Sequence, residues 1–267
     1  MSYGIKFKWY STACNEIDLG GKTWVTDPFI DSSSGAEGAS WKDIKACDYI
    51  TISHMHYDHI PEVPQLQRAH KANVLLADLE VKEFATWSDI APNYLYPMSV
   101  GNKINFGDVK FEAIYGHHTA LAKNYSDLLF SSAMNSYIDD HCGGDAGLKG
   151  LNTWGCISYR NWLATLPNGT KILVWGGFPK DEDIFMVKDI HPDILFFQCT
   201  VPEKYAEKTA KLVLESGAKI AIPQHMDFPA DGEEKNWRVT NAVKDMVDAL
   251  GKDIKCILPK KGEWIEL

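Results

Sequence analysis

What the chain lacks narrows its identity first. No stretch approaches the roughly 18 consecutive apolar residues of a membrane-spanning helix. The opening segment MSYGIKFKWYSTACNEIDLGG carries a charge every few positions and has no apolar centre, so neither a signal peptide nor an anchor is expected. Runs of Lys and Arg are absent as well. With 36 acidic against 27 basic side chains the net charge is −9, which argues against a nucleic-acid backbone or an anionic membrane as a partner. There is no Cys-x-x-Cys pair. The six cysteines (Cys14, Cys47, Cys142, Cys156, Cys199 and Cys256) are scattered, as expected of buried, reduced thiols in a cytoplasmic protein. Neither an internal repeat nor a Pro/Gly/Ser-rich linker divides the sequence, so residues 1–267 are expected to form a single domain. A chain of this length closes a hydrophobic core without a disulfide or a metal staple. Any metal site in it therefore serves function.

The 45% of apolar residues fall largely into short β-rich runs. These are Thr23 to Thr26, Tyr49 to Ser53, Asn73 to Ala77, Val109 to Tyr115, Cys156 to Tyr159, Lys171 to Trp175, Ile194 to Phe197 and Lys219 to Ile222. Helical periodicity is clearest over Glu203 to Ser216, closed by Gly217, and over Trp237 to Leu250, closed by Gly251. Early strands follow one another without long helices, whereas the last third alternates strand and helix. The pattern predicts an α/β (or α+β) sandwich with helices packed outside the sheets. Asp31 to Ser40 and the Gly-rich DDHCGGDAGLKG stretch read as surface loops of the kind that border sites.

The chemistry concentrates in Thr51-Ile-Ser-His-Met-His-Tyr-Asp-His59. Three of the nine histidines and an aspartate fall within six residues, directly after a strand-like run. At i and i+2 of a strand end, His54 and His56 lie on one face, where two imidazoles can hold one cation. Asp58 and His59 follow where the chain turns. His70 and His191 have no partner at ligand spacing and read as surface or capping residues. His141, Cys142 and Asp145 have ligand chemistry but sit in the Gly-rich loop, and Asp181, Glu182 and Asp183 read as a solvated helix start.

This stretch resembles the His-x-His-x-Asp-His signature of the metallo-β-lactamase superfamily, and other segments resemble the superfamily's motifs in order. Val25-Thr-Asp-Pro-Phe29 is similar to its first motif, in which an Asp supports the metal loop. Ala113-Ile-Tyr-Gly-His-His-Thr119 is similar to the turn that supplies a third His; His117 matches best, with His118 as its substitute. Ile220-Ala-Ile-Pro-Gln-His225 is similar to the strand-terminal His of a second metal site. The resemblance implies a four-layer αββα sandwich, with His54, His56, Asp58, His59, His117 and His225 as metal ligands. One segment departs from the pattern. Lys171-Ile-Leu-Val-Trp-Gly-Gly-Phe178 places Gly177 where the superfamily has an Asp bridging two metals, so a single ion or a weakened second site is expected.

As the resemblance implies it, the reaction is hydrolysis by metal-activated water of an ester, lactone, amide or phosphodiester. Asp58 would orient the water, help hold a second ion or relay a proton, and Tyr57 would contact substrate or pack beside the metal loop. The implied cofactor is Zn, one or two ions, with Mn or Fe accepted by the same ligands. The short marks in the His-Tyr-Asp-His, Thr-Asp-Pro-Phe and Ile-Pro-Gln-His segments look most like the branch of ascorbate-6-phosphate lactonases and N-acylphosphatidylethanolamine phospholipases. Without an amphipathic membrane-binding helix in the sequence, the expected substrate is a small anionic metabolite. Homo-oligomerisation stays open. The competing reading is a catalytically reduced relative whose pocket binds metal for a sensing or structural role.

Overall fold

A computed structural model describes residues 3–31, 39–118, 136, 138–140, 142–155, 157–177, 179–199, 203–227, 233–251 and 253–267. His141, Cys156 and Phe178, each named above, lie outside the described residues.

Among the described residues two seven-stranded sheets form. The first runs β14 (Trp264–Glu266), β1 (Lys6–Ser11), β2 (Cys14–Asp18), β3 (Thr23–Thr26), β4 (Tyr49–Thr51), β5 (Asn73–Ala77) and β6 (Leu95–Met98). The second runs β13 (Lys255–Cys256), β12 (Ile220–Gln224), β11 (Ile194–Gln198), β10 (Lys171–Trp175), β9 (Arg160–Thr165), β8 (Lys110–Tyr115) and β7 (Lys103–Asn105). Each sheet is half antiparallel and half parallel: β3 to β6 run parallel in one, β10 to β13 in the other.

Alternation along the strands dictates how the layers stack. Trp24, Tyr49 and Leu75 point into a core shared with Phe111, Trp162 and Phe196 of the second sheet, while Val25, Ile50, Val74 and Leu76 point the other way. The inter-sheet layer is tied by edge-to-face ring pairs, Phe7 on Phe196 at 5.3 Å and Trp24 on Phe111 at 5.2 Å. On the outer face of the first sheet lie α1 (Val63–His70), α2 (Val81–Ser88) and α3 (Ala146–Trp154), contributing Val63, Leu66, Phe84, Leu148 and Leu151. Against the second sheet lie α4 (Asp181–Ile190), α5 (Ala206–Glu215) and α6 (Glu233–Leu250), contributing Ile184, Val187, Ala210, Val213, Val239 and Val243. The order helix, sheet, sheet, helix is the four-layer αββα sandwich expected. With both faces covered, the parallel strands read as nearly continuous apolar runs.

Two assignments shift. Residues 157–159 of the Cys156 to Tyr159 run lie in no strand, and pairing starts at Arg160. The β1–β2 hairpin, which no Gly, Pro, Asn or Asp announces, bends at Thr12 with φ 46°. Gly217, with φ +75°, ends the α5 region as its position predicted.

Candidate metal centre

The site forms at one edge of both sheets, where β3, β4, β8, β10 and β12 end and β9 begins. Parallel strands converge their carboxyl ends on this edge, a usual place for a ligand site in such sheets.

Two groups of ligand atoms assemble there: His54, His56 and His118, and beside them Asp58, His59 and His225. Within each group the atoms lie within 4.8 Å of one another. β4 stops at Thr51, so His54 and His56 stand on the loop beyond it rather than on the strand. Their rings nonetheless meet at 4.6 Å, and His118 meets both, at 4.8 and 4.6 Å. The two groups are neighbours, with the His54 and His59 rings 4.1 Å apart. Of the six residues, only His118 is partly exposed. The approach from solvent is therefore past His118.

His118, and not His117, joins the imidazole group. His117 turns its Nδ1 to both carboxylate oxygens of buried Asp183, each at 3.2 Å. Asp183 also accepts from the Lys180 backbone at the start of α4, so it is not the solvated residue its helix-start position suggested. Burial raises its pKa. Tyr57 is 1% exposed in the helix-side core, edge-to-face on Phe29 at 6.0 Å, and its backbone N–H donates to Asn152. It supports the loop from behind instead of facing a substrate. Asp145 caps α3 through Gly147 and Leu148 and accepts from Trp87, outside the site. His191 is the left-handed C-cap of α4, its ring against Gly217.

The supporting network explains how the loop is held. Asp27, at the end of β3, accepts from the Ser53 backbone at 2.6 Å and faces His59 Nδ1 at 3.0 Å. His59 Nε2 lies 3.4 Å from Asp58, whose Oδ2 is also 3.3 Å from His225 Nε2. A carboxylate behind an imidazole fixes the ring and its tautomer. Ser53 Oγ is 2.9 Å from His54 Nδ1 and 3.4 Å from His59 Nδ1, linking the groups.

A second network has no signature in the sequence. The Thr12 carbonyl accepts from the His225 backbone at 2.7 Å, and the Thr12 hydroxyl donates to the Asp58 carbonyl. Buried Asp227 holds that turn in place by accepting from Thr12 N and Ser11 Oγ and pairing with Lys261 at 3.0 Å. No local signal marks it, since Asp227 and the Ser11–Thr12 turn it holds are more than 200 residues apart. Backbone strain points to the same place. Six non-glycine residues among those described have positive φ; Lys71, Asp89 and His191 are helix C-caps, and Thr12, Asp27 and His225 all belong to the site. Such conformations cost about 1–3 kcal/mol each and persist where surrounding contacts enforce them.

Electrostatics separate the two groups. Burial, with the neighbouring imidazoles, lowers His54 well below the usual histidine range, and burial takes His56 down to about 4. Burial opposes charge on His59 too, but Asp58 and Asp27 override it and raise that histidine to about 10. Asp58, although burial works against its charge, is held well below the usual carboxylate range by His59 and His225.

This donor set fits a divalent cation. His54 Nε2 and His56 Nδ1 face each other at 3.0 Å, and His56 Nε2 is buried with no hydrogen-bond partner. Buried polar atoms are normally paired, and converging neutral imidazoles beside a carboxylate-backed His/Asp group suit Zn, Mn or Fe. The second group is complete without a side chain from position 177. A β-carbon at Gly177 would lie 2.9 Å from the His117 carbonyl, so the backbone fills the space such a side chain would need.

Comparison with known proteins agrees with this architecture. Residues 6–130 match the family model of the beta-lactamase superfamily domain. A metal-dependent hydrolase from a Geobacillus species is 30% identical over 115 residues, 42% of this chain and 48% of that protein. The match thus spans about half the length of that curated relative. Among solved structures, a metallo hydrolase of the hyperthermophilic archaeon Ignicoccus hospitalis superposes with a TM-score of 0.67 at 13% identity, over 98% of both chains. The metallo-beta-lactamase fold protein YhfI of Bacillus subtilis gives 0.62 at 12% identity, over 98% of this chain and 99% of that one. The chain has the metallo-β-lactamase fold. Among the described residues no helix is long and apolar enough to cross a membrane.

Proposed function

We propose that this chain is a metal-dependent hydrolase of the metallo-β-lactamase superfamily, acting on an ester, lactone or phosphodiester of a small anionic molecule. The observation that carries the proposal is the pair of adjacent ligand groups, His54/His56/His118 and Asp58/His59/His225, at one strand edge. His54, His56 and His118 would hold one ion, and Asp58, His59 and His225 a second. Zn is the first candidate, with Mn or Fe accepted by the same donors. A divalent ion held by these residues would supply Lewis acidity, lowering the pKa of a water to about 7 and polarising an acyl or phosphoryl oxygen.

The protein's own groups do the rest. Asp27 holds the His59 ring, Ser53 orients His54, and the Thr12 carbonyl fixes the His225 backbone. Asp58 Oδ2, poised between His59 and His225 and held in its charged form, would accept a hydrogen bond from an attacking water and orient it. Burial of five of the six residues excludes bulk water, and His118 borders the entrance. An anionic substrate suits a centre whose bound cations would be the largest local charges. The name of the Geobacillus relative supports the hydrolase reading, and the motif resemblance favours a substrate like those of the ascorbate-6-phosphate lactonases.

The test is turnover of a generic phosphodiester and a generic lactone by protein saturated with Zn or Mn. Hydrolysis of either that is abolished by a chelator and restored by the metal is the expected outcome. Bound metal without turnover across a wider ester panel would instead favour a sensing or structural role.

A further inference from the structure

Tyr159 is the one aromatic ring packed flat against a member of the imidazole group among the described residues. Its ring stacks on His54 with centroids 4.8 Å apart and planes at 27°, and its edge faces His118 at 6.0 Å. It is 4% exposed. The space it occupies has been cleared from both sides. A β-carbon on Gly176 would fall 2.1 Å from the Tyr159 hydroxyl, and one on Gly116 would fall 2.5 Å from Cδ1 of its ring. Neither glycine has positive φ, so backbone conformation does not demand glycine at either position. Room for the ring does. The three residues sit at the ends of β8 and β10 and the start of β9, which are hydrogen-bonded neighbours. The two strands flanking Tyr159 therefore each present a glycine to it.

From this geometry we infer that Tyr159 is a positioning residue for the metal centre, holding the His54 imidazole by its face while Ser53 holds it by its edge. Two constraints are needed because an imidazole bonded only through Nδ1 still swings about that bond. With the face blocked by the phenol ring, Nε2 of His54 stays aimed at Nδ1 of His56, 3.0 Å away. The ring acts through its flat surface, and its hydroxyl also meets the Ser53 side chain, so the phenol braces His54 directly by its face and through Ser53 at its edge. The inference rests on the metal-centre reading above.

The test is titration of the full chain with Co(II), following the visible absorption of the bound ion and its affinity. Outer partners of metal ligands typically contribute 10–100-fold to affinity. Tyr159→Ala should weaken binding at the His54/His56/His118 group by that factor and shift its spectrum. Gly176→Ala, which pushes on the ring without removing it, should move both in the same direction, and Tyr159→Phe, which keeps the face contact but loses the bond to Ser53, should lose clearly less than Tyr159→Ala. An ion still held by Asp58, His59 and His225 in each variant reports that the chain is folded. Wild-type affinity and spectrum in both Tyr159→Ala and Gly176→Ala would overturn the inference while leaving the metal centre standing. A loss in Tyr159→Phe as large as in Tyr159→Ala would overturn it in favour of the hydroxyl. No Co(II) binding by the wild type would remove the metal-centre reading itself, and the inference with it.

Discussion

The two ligand groups lie side by side yet are built on opposite electrostatics. His54, His56 and His118 form a group without a carboxylate, and burial keeps its first two members neutral, with His56 at about 4. Asp58, His59 and His225 form a group built around a carboxylate, with Asp27 behind it and His59 raised to about 10. The first therefore offers lone pairs in the form that binds a cation, and His56 Nε2 is buried without a hydrogen-bond partner. The second is already organised by its own ion pairs. A buried pair holds shape when complete and becomes costly when one partner is removed. One group thus depends on packing for its geometry, through Ser53 and Tyr159, and the other on a carboxylate lattice.

Breaking the carboxylate at the centre of that lattice should have the largest effect. Asp58→Asn removes the charge facing both His59 and His225, and hydrolysis should fall by roughly 10²–10⁴-fold, the range for loss of a positioned acid or base. Steady-state rates on whichever generic ester is turned over measure this. A loss under tenfold would show that the second group is peripheral to the chemistry.

Asp27→Asn is a gentler probe of the same side. It keeps the side-chain shape but not the charge behind His59, so affinity at the Asp58/His59/His225 group should drop about 10–100-fold while the imidazole group is unchanged. Equal losses at both would mean that Ser53, bonded to Asp27 and bordering both groups, transmits the change.

Asp227→Asn tests the clamp on the Thr12 turn. Its charged hydrogen bonds to Ser11, Thr12 and Lys261 are expected to contribute about 2 kcal/mol. A denaturant melt should show that loss, together with weaker binding at the group containing His225. A stability loss with no change in binding would confine the clamp to a structural role.

The smallest effect is a control away from both groups. Burial pushes the Glu80 carboxyl, at the start of α2, up to about 7. A raised acid favours the neutral form in the folded chain, so its contribution is fully present below pH 4.5 and is lost as pH rises through about 7. Glu80→Gln should therefore gain on wild type by about 1 kcal/mol at pH 8 and by nothing at pH 4, a figure reduced for partial exposure. Parallel melts at the two pH values check the sign.

How much of this was legible in the sequence depends on how local its cause is. β3, β5 and β10 are found where their apolar runs predicted, because strands buried on both faces write their burial directly into composition. His54, His56, Asp58 and His59 were legible because one loop carries them all. The β1–β2 turn was not, since Ser11-Thr12-Ala13 contains no Gly, Pro, Asn or Asp and a carboxylate 215 residues away holds the strained Thr12. The choice of His118 over His117 was equally hidden. Two adjacent histidines look alike in sequence, and what separates them is Asp183, brought to His117 by the start of α4. Tyr159 had no ligand spacing to announce it, and its glycine seat exists only once three strands are paired.

The most direct test of the central claim is metal content per chain, by elemental analysis after saturation with Zn and removal of excess, for wild type beside His56→Ala and His59→Ala. Two separately built groups predict two equivalents in the wild type and one in each variant, with folded far-ultraviolet circular dichroism throughout. A single equivalent in the wild type that both variants lose would contradict the account, because it would make the six residues one site.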